Sequence, residues 1–259
     1  MKGMATTHGT NAPVHDRCSA RRRPRHIRAA AALLGVVLAG APASARGDEE
    51  AARVDEGIVV LEEIMEAPDA AIPRAILDRA VAIAVFPSTV KAGFFLGGQR
   101  GRGFIAGRDP ETGSWSAPAF LTLTGGSIGL QVGAQSADVV LLIQNARGLR
   151  RLLDNQFKLG GDVSAVVGPV GRSLEASTDL QLTAEILSYS RTRGVFAGAA
   201  LGGATLRADR DANERFYGER LDSFDIVLDG ETGDRLPDAA VRLREALAAL
   251  TAEEDDGSE

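Results

Sequence analysis

The sequence predicts an α+β fold in which a curved, mostly antiparallel sheet or partial barrel is flanked by short helices. Glycine is abundant, with 30 residues in a chain of 259, and aromatic residues make up 5%. This composition suits strands and tight turns better than a helix bundle. Over 128–135, apolar residues alternate with glycine and glutamine, the period of a strand with one apolar face. Double glycines at 97–98, 125–126, 160–161 and 202–203 are typical of bulges and strong twist in such a sheet.

The first 45 residues differ from the rest and predict a secretory signal peptide. Six arginines between positions 17 and 28 precede a 13-residue apolar run over 29–41 and an Ala-Ser-Ala cleavage signal at 43–45. The run is too short to span a bilayer, which takes about 20 helical residues. We therefore expect an exported protein, periplasmic or secreted and peripheral to a membrane, whose mature chain starts near Arg46.

Cleavage of this leader would narrow the available chemistry. All three histidines and the single cysteine lie within it, as do seven basic residues and one acid, so the formal net charge would move from −6 to −12. A chain without imidazole or thiol cannot form disulfides, histidine-dependent triads, cysteine nucleophiles or ordinary zinc or copper sites. We therefore expect no enzyme activity of these kinds, no metal and no cofactor.

An acidic amphipathic helix is predicted ahead of the sheet, after a flexible start over 46–54. Ile58, Leu61 and Met65 fall on one helical face, glutamates lie towards another, and the helix should end before Pro68. The other predicted elements, in chain order, are a helix whose first turn holds Pro73, a strand from Ile83, glycine-rich strands over 91–108 and 115–135 joined by a turn at 109–114, a strand or helix start over 137–143, a helix capped by Asn145, strands over 160–172 and 184–209 with a hairpin turn near 193–194, a short helix capped by Asp209, and a closing helix over 237–250. The segment 197–208 also weakly echoes 92–103.

Two catalytic or cofactor motifs receive little support. Gly101, Gly103 and Ala106 have the spacing of a dinucleotide-binding loop, but the segment has strand character and no helix pattern follows it. A carboxylate-dependent hydrolase would need two acids in one pocket. The candidate acids, each with an ordinary interpretation as a cap, a turn residue or a solvated side chain, are Asp138, Asp162, Glu175 and Glu185.

Basic residues cluster on the predicted strands of the centre. The candidate lipid-binding residues are Lys91, Arg100, Arg102 and Arg108, within 18 positions of two adjacent strands, and Arg191 and Arg193 at a hairpin turn. Guanidinium groups bind phosphate in a bidentate manner, and each basic residue near an anionic bilayer contributes about 1 kcal/mol. The alternative is that these side chains are solvated and discourage pairing at strand edges. The binding hypothesis fails if the fold scatters them over opposite sides.

Several blocks of the sequence together resemble a known family. They include Trp-Ser-Ala-Pro at 115–118, Gly-Pro-Val-Gly-Arg at 168–172, and Tyr-Ser-Arg at 189–191 followed by Gly-x-Phe-Ala-Gly at 194–198. From about Ile72 to the C-terminal helix, the chain resembles the SYLF domain, a lipid-binding domain of yeast and animal actin-patch proteins and of many bacterial secreted proteins. The predicted organisation is a signal peptide over 1–45, the acidic helix and linker over 46–71, a SYLF-like domain over 72–250 and an acidic disordered tail over 251–259.

The resemblance implies binding of anionic phospholipids, notably phosphoinositides and phosphatidic acid, without enzymatic activity. We also expect no nucleic-acid partner. In eukaryotic relatives it also implies actin binding, but an exported protein would not meet actin or phosphoinositides. Affinity for a phosphate-bearing headgroup is therefore the property we expect here. The open alternatives are a carboxylate-dependent hydrolase and a structural or protein-interaction module whose acidic ends form the partner surface.

The helix ahead of the domain departs from the family. Relatives that insert into membranes are thought to use this helix, where a basic polar face would help. Here it carries five acids, at positions 55, 56, 62, 63 and 66, which an anionic leaflet would repel. We therefore expect the helix to pack on the sheet.

Overall fold

The structure, a computed structural model, describes residues 47–67, 71–94, 96–128, 133–154, 157–160, 164–169, 184–192, 195–198, 203–234 and 236–252. The predicted signal peptide and most of the acidic tail lie outside these residues. The described helices are α1 (Asp48–Glu66), α2 (Arg74–Asp78), α3 (Ala146–Leu153), α4 (Arg210–Tyr217) and α5 (Asp238–Thr251), with a π-helical turn at Asp225–Asp229. The described strands are β1 (Ala82–Phe94), β2 (Leu96–Gly107), β3 (Ala119–Ile128), β4 (Gly133–Ile143), β5 (Phe157–Lys158), β6 (Ala165–Val167), β7 (Ile186–Thr192), β8 (Val195–Gly198) and β9 (Thr205–Ala208).

These nine strands form one curled sheet. Its order is β5-β9-β3-β2-β1-β4-β7-β6, and β8 also pairs with β7. The pairing of β6 with β7 is parallel, and every other pairing among the described strands is antiparallel. Helix α3 contacts both β4 and β9 although β1, β2 and β3 separate them, so the sheet curls around α3. The predicted fold class, α+β with a curved and mostly antiparallel sheet, is confirmed.

A bulge bends β1 midway along its length. The register with both neighbouring strands shifts between Val85 and Val90, and Ser88 within this interval has a φ of 55°. A serine rarely adopts this left-handed conformation, and here the Ser88 N–H donates a hydrogen bond of 2.9 Å to Asp138 Oδ1 on β4. The bulge therefore gives β1 its extra curvature and ends the buried half of the strand.

Local capping signals were predicted correctly. The Asn145 side chain accepts a hydrogen bond of 2.8 Å from the Gly148 N–H at the start of α3, and Asp209 accepts one of 3.1 Å from the Ala212 N–H at the start of α4. The predicted hairpin is present, since Thr192 pairs with Val195. Residues 137–143, left open between strand and helix, belong to β4.

One predicted boundary was wrong. Residues 48–54, expected to be a flexible start, form the first two turns of α1. Glu50 and Val54 in these turns are fully buried, so tertiary packing extends the helix beyond its amphipathic pattern. Among the described residues, no helix combines the length and apolar character needed to cross a membrane.

Helix α1 lies directly on one face of the sheet. A Cβ atom added at Gly57 would overlap the ring of Phe104 on β2, and Val85 on β1 lies just beyond. Phe104 and Val85 are opposite each other in the register, so both side chains point to the face that α1 covers. We call this the α1 face. The expectation that the acidic helix packs on the sheet is confirmed.

Candidate anion-binding surface

Several arginine side chains lie close together on the exposed part of the α1 face. Arg102 is two residues from Phe104 and therefore shares its face; Arg100 shares it in turn. In the register, Arg102 is opposite Thr122, and Thr122 is opposite Arg207 on β9. Arg102 on β2 and Arg207 on β9 therefore lie on the same side of the sheet, and Thr122 on β3 lies between them.

A shallow groove of about 450 Å³ runs from this part of the sheet to α4. We call it the arginine groove; its lining consists of Arg100, Arg102, Thr122, Arg207, Ala208, Asp209, Arg210, Asp211, Arg215 and Arg220. Six guanidinium groups and two carboxylates therefore line it. Because six guanidinium groups outnumber two carboxylates, the lining is predominantly cationic.

Carboxylates outside the groove pair with four of its arginines. These pairs are Arg102–Glu49 at 2.7 Å, Arg210–Asp222 at 2.8 Å, Arg215–Glu50 at 2.7 Å and Arg220–Glu214 at 3.9 Å. Three of the pairs are largely exposed, and exposed pairs are worth about 0–1 kcal/mol, so a phosphate with bidentate geometry can compete with them. Within the described part of the chain, Arg100 is exposed and makes no ion pair.

The remaining pair, Arg215–Glu50, anchors α1 to α4. Glu50 is fully buried, and its Oε1 accepts hydrogen bonds of 2.9 and 2.7 Å from Arg215 Nε and Nη2. The hydrogen bond to Glu50 raises the pKa of Arg215 above its ordinary value. This charge-assisted fork fixes the guanidinium at the rim of the groove.

The six predicted residues do not form one patch. Arg100 and Arg102 share the α1 face, but Lys91 is opposite Gln99 in the register whereas Arg100 is opposite Val90. Since neighbouring residues of a strand point to opposite sides, Lys91 and Arg100 lie on different faces. Sequence reasoning places residues along a strand but not the register that relates two strands.

The other three predicted residues are placed differently again. Arg108 follows β2 at the far end from Arg100 and donates hydrogen bonds to the carbonyls of Gly113 and Asp78, with its guanidinium carbon 5.9 Å from the centre of the Trp115 rings. Arg191 forms ion pairs with Glu63 of α1 and Asp138 of β4. Arg193 lies outside the described residues. The single patch that the six residues were expected to form is therefore wrong, because Lys91 and Arg100 lie on opposite faces of the sheet. Lipid binding by the individual residues stays a prediction.

Arg207, Arg210, Arg215 and Arg220 were missed as candidates. The segment 197–208 weakly repeats 92–103, and this repeat aligns Arg207 with Arg102. The register places the two arginines on strands that only β3 separates. This signal could have found Arg207. The other three depend on how α4 and its flanking residues dock against the sheet, which the sequence pattern does not contain.

A second groove, of about 750 Å³, lies between α1 and the ends of β1 and β2. We call it the α1 groove; its lining consists of Glu49, Ala52, Arg53, Glu56, Pro87, Ser88, Val90, Gly98, Gln99, Arg100, Gly101 and Arg102. Arg100 and Arg102 line both grooves, so the two cavities meet at these side chains.

Of the four carboxylates considered for a hydrolase, the two that the structure describes do not lie together. Asp138 is opposite Arg191 near one end of β7, whereas Glu185 precedes the other end. Asp162 and Glu175 lie outside the described residues. In the part of the chain that the structure describes, no three acidic, histidine or cysteine side chains are grouped to hold a metal ion.

Fold and site together define an α+β domain whose curled sheet carries an arginine-lined groove beside an acidic helix. Residues 124–250 match the family model described as "Ysc84: Las17-binding protein actin regulator". The chain belongs to this Ysc84 family, whose domain is also called SYLF, and the predicted resemblance is confirmed.

Three relatives indicate the extent of the match. The human SH3 domain-containing YSC84-like protein 1 is 32% identical over 185 residues, covering 71% of this chain and 53% of that protein. Its Xenopus laevis counterpart is 34% identical over 186 residues, covering 71% and 54%. Protein YSC84 of Saccharomyces cerevisiae is 33% identical over 195 residues, covering 74% and 40%. The chain thus spans about half or less of the length of the curated relatives it matches, whose names describe no enzyme.

Proposed function

We propose that this protein is a non-enzymatic, exported protein that binds anionic phospholipid headgroups through the arginine groove. The observation that carries the proposal is the convergence of six arginines from β2, β9, α4 and the segment that follows α4 on one groove, with Arg100 exposed and outside any ion pair among the described residues. Guanidinium groups bind phosphate through paired hydrogen bonds, so such a groove suits a phosphate-bearing headgroup.

The proposed site is narrower than the predicted patch. It keeps Arg100 and Arg102, adds Arg207 and the arginines of α4 and its C-terminal flank, and leaves out Lys91 and Arg108. The family description names an actin regulator, but the signal peptide proposed for residues 1–45 would carry this chain away from actin. The partner we propose is therefore the anionic membrane surface of the envelope.

Vesicle co-sedimentation tests the proposal. Phosphatidylcholine vesicles with phosphatidic acid should bind the protein at low salt, and vesicles without it should not. Exchanging Arg100 and Arg207 together for Gln removes two charges worth about 1 kcal/mol each, so the partition constant should fall about 30-fold. The charge-matched control exchanges Arg79 and Arg244, exposed arginines outside the groove lining, for Gln.

Three outcomes decide the matter. Strong loss in the groove variant alone supports the site. Equal loss in both variants would mean that net charge, and not the groove, drives binding. No binding of the unaltered protein at low salt would overturn the proposed function. Export is tested separately by sequencing the N-terminus of the protein recovered from the cell envelope, which should begin near Arg46.

A further inference from the structure

We propose that the α1 groove holds the acyl chain of a single phospholipid, specifically a monoacyl phospholipid of the lysophosphatidic acid type. This inference rests on the proposed function and deepens it, because it assigns the site a whole lipid molecule. The phosphate would lie in the arginine groove, and the chain would run past Arg100 and Arg102 into the α1 groove.

The two grooves provide the two halves of an amphiphile site. They share Arg100 and Arg102 as their common wall. The arginine groove offers guanidinium donors to a phosphate, and the α1 groove continues from the same side chains under the first half of α1. A ligand with one anionic head and one chain therefore fits the pair of grooves, whereas a free phosphate uses only one of them.

Apolar groups lie at the floor and sides of the α1 groove. Val90 on β1 is 49% exposed, and its side chain shares a face with Arg100 because the two are opposite in the register. Pro87 borders the groove from the bulge and Ala52 from α1. A half-exposed valine at the base of a groove is the apolar surface that a methylene chain would cover.

Glycines keep the groove open. Gly98 lies two residues before Arg100 on the same face, and an added Cβ there would meet nothing closer than the Gly125 carbonyl oxygen at 3.9 Å. The space above Gly98 is therefore groove volume. The groove measures about 750 Å³, within the range of about 300–1,000 Å³ that is common for small-molecule sites.

Charge favours an anionic head at the junction of the two grooves. Arg53, Arg100 and Arg102 line the α1 groove together with Glu49 and Glu56. Arg53 and Arg102 both pair with Glu49, at 3.0 and 2.7 Å, so of the three arginines only Arg100 makes no ion pair among the described residues. One exposed guanidinium at the junction suits one phosphate, and the single α1 groove beside it has room for one chain.

The test compares lysophosphatidic acids of different chain length with glycerol 3-phosphate, by calorimetric titration below the critical micelle concentration. Each methylene that leaves water strengthens binding about fourfold, so the lauroyl compound should bind about 15-fold more tightly than the decanoyl compound. Glycerol 3-phosphate, which lacks a chain, should bind more weakly than either.

Two groove-filling variants and one control sharpen the test. Gly98→Leu fills the groove from the sheet, and Ala52→Leu fills it from an exposed position of α1. Both should lose the dependence on chain length and keep the affinity for glycerol 3-phosphate. Gly126→Leu is the control, because Gly126 is opposite Gly98 on β3, has no atom within 4 Å of an added Cβ and does not line the groove.

Each result has a distinct meaning. Equal affinity of the unaltered protein for decanoyl and lauroyl compounds would overturn this inference, and the proposed function would stand if the phosphatidic acid vesicles still bound. Failure of those vesicles to bind, with chain-length dependence intact, would overturn membrane-surface binding and leave the single-lipid site. If Gly98→Leu does not fold, as judged by its thermal transition, Ala52→Leu gives the same answer from the helix.

Discussion

Glu49 limits the positive charge of the arginine groove, and its replacement should strengthen binding to anionic vesicles. Its Oε1 lies 2.7 Å from Arg102 Nη1 and 3.0 Å from Arg53 Nη2. Glu49→Gln leaves the side-chain shape in place and removes the negative charge. Arg102 then faces the groove without a carboxylate partner from α1.

The expected gain in vesicle binding follows from the single positive charge of Arg102 that Glu49 no longer neutralises. A basic residue near an anionic surface is worth about 1 kcal/mol, so the partition constant should rise about fivefold. The dependence on salt should also become steeper, because more of the binding free energy is electrostatic. Stability should fall by no more than about 1 kcal/mol, since Glu49 is 62% exposed and exposed pairs contribute little.

The assay is vesicle co-sedimentation over a salt series, with Glu62→Gln as the matched control. Glu62 is an exposed residue of the same helix, makes no ion pair among the described residues, and changes the net charge by the same amount. A fivefold rise for Glu49→Gln with little change for Glu62→Gln supports the reasoning. Equal rises would refute it, because the effect would then come from total charge and not from Arg102.

Three further predictions concern the fold that positions the groove. An added Cβ at Gly168 would overlap the ring of Tyr189, which is fully buried. Gly168→Ala should therefore lower the free energy of unfolding in urea by about 1–3 kcal/mol. An unchanged midpoint would contradict this packing. Within the described part of the chain the Tyr189 hydroxyl has no hydrogen-bond partner, so Tyr189→Phe should leave stability unchanged or raise it by about 1 kcal/mol, and a clear loss would reveal a partner. Buried Asn213 accepts a hydrogen bond of 2.8 Å from the Phe120 N–H. Asn213→Ala should therefore lower the free energy of thermal unfolding by about 1–3 kcal/mol, more than Asn145→Ala does at a helix cap. A larger loss for Asn145→Ala would contradict this reasoning.

Local features of the fold could be predicted from the sequence because short-range physics decides them. Asn145 and Asp209 bond to backbone N–H groups three residues away, so a cap and the residues after it suffice to find the helix start. The antiparallel pairing of β7 with β8 is signalled in the same way, by Arg193-Gly194 in the sequence between them. Such predictions need no knowledge of the tertiary structure.

The composition of the site could be predicted only in part because it depends on register and docking. Arg100 and Arg102 are two residues apart on one strand, so their common face follows from the strand period alone. Lys91 was misplaced because the bulged strand β1 meets β2 in a register that no local pattern records. Arg215 is held at the groove by its hydrogen bonds to Glu50, which is 165 positions away in the chain. Only the folded structure reveals that pair.

Helix α1 couples the stability of the domain to the charge of its basic face. Its residues Glu49 and Glu63 are 14 positions apart, about 21 Å along a helix, and they pair with Arg102 and Arg191 respectively. Between them, Gly57 packs against Phe104 in the core. A change that loosens this central packing would therefore weaken both ion pairs, so it should raise anion binding while it lowers stability. Loss of an exposed groove arginine that makes no ion pair within the described part of the chain, such as Arg100, should lower binding with little effect on stability. The opposite signs separate the two roles, and a Gly57→Ala variant that lost both stability and vesicle binding would show that α1 does not mask the arginines.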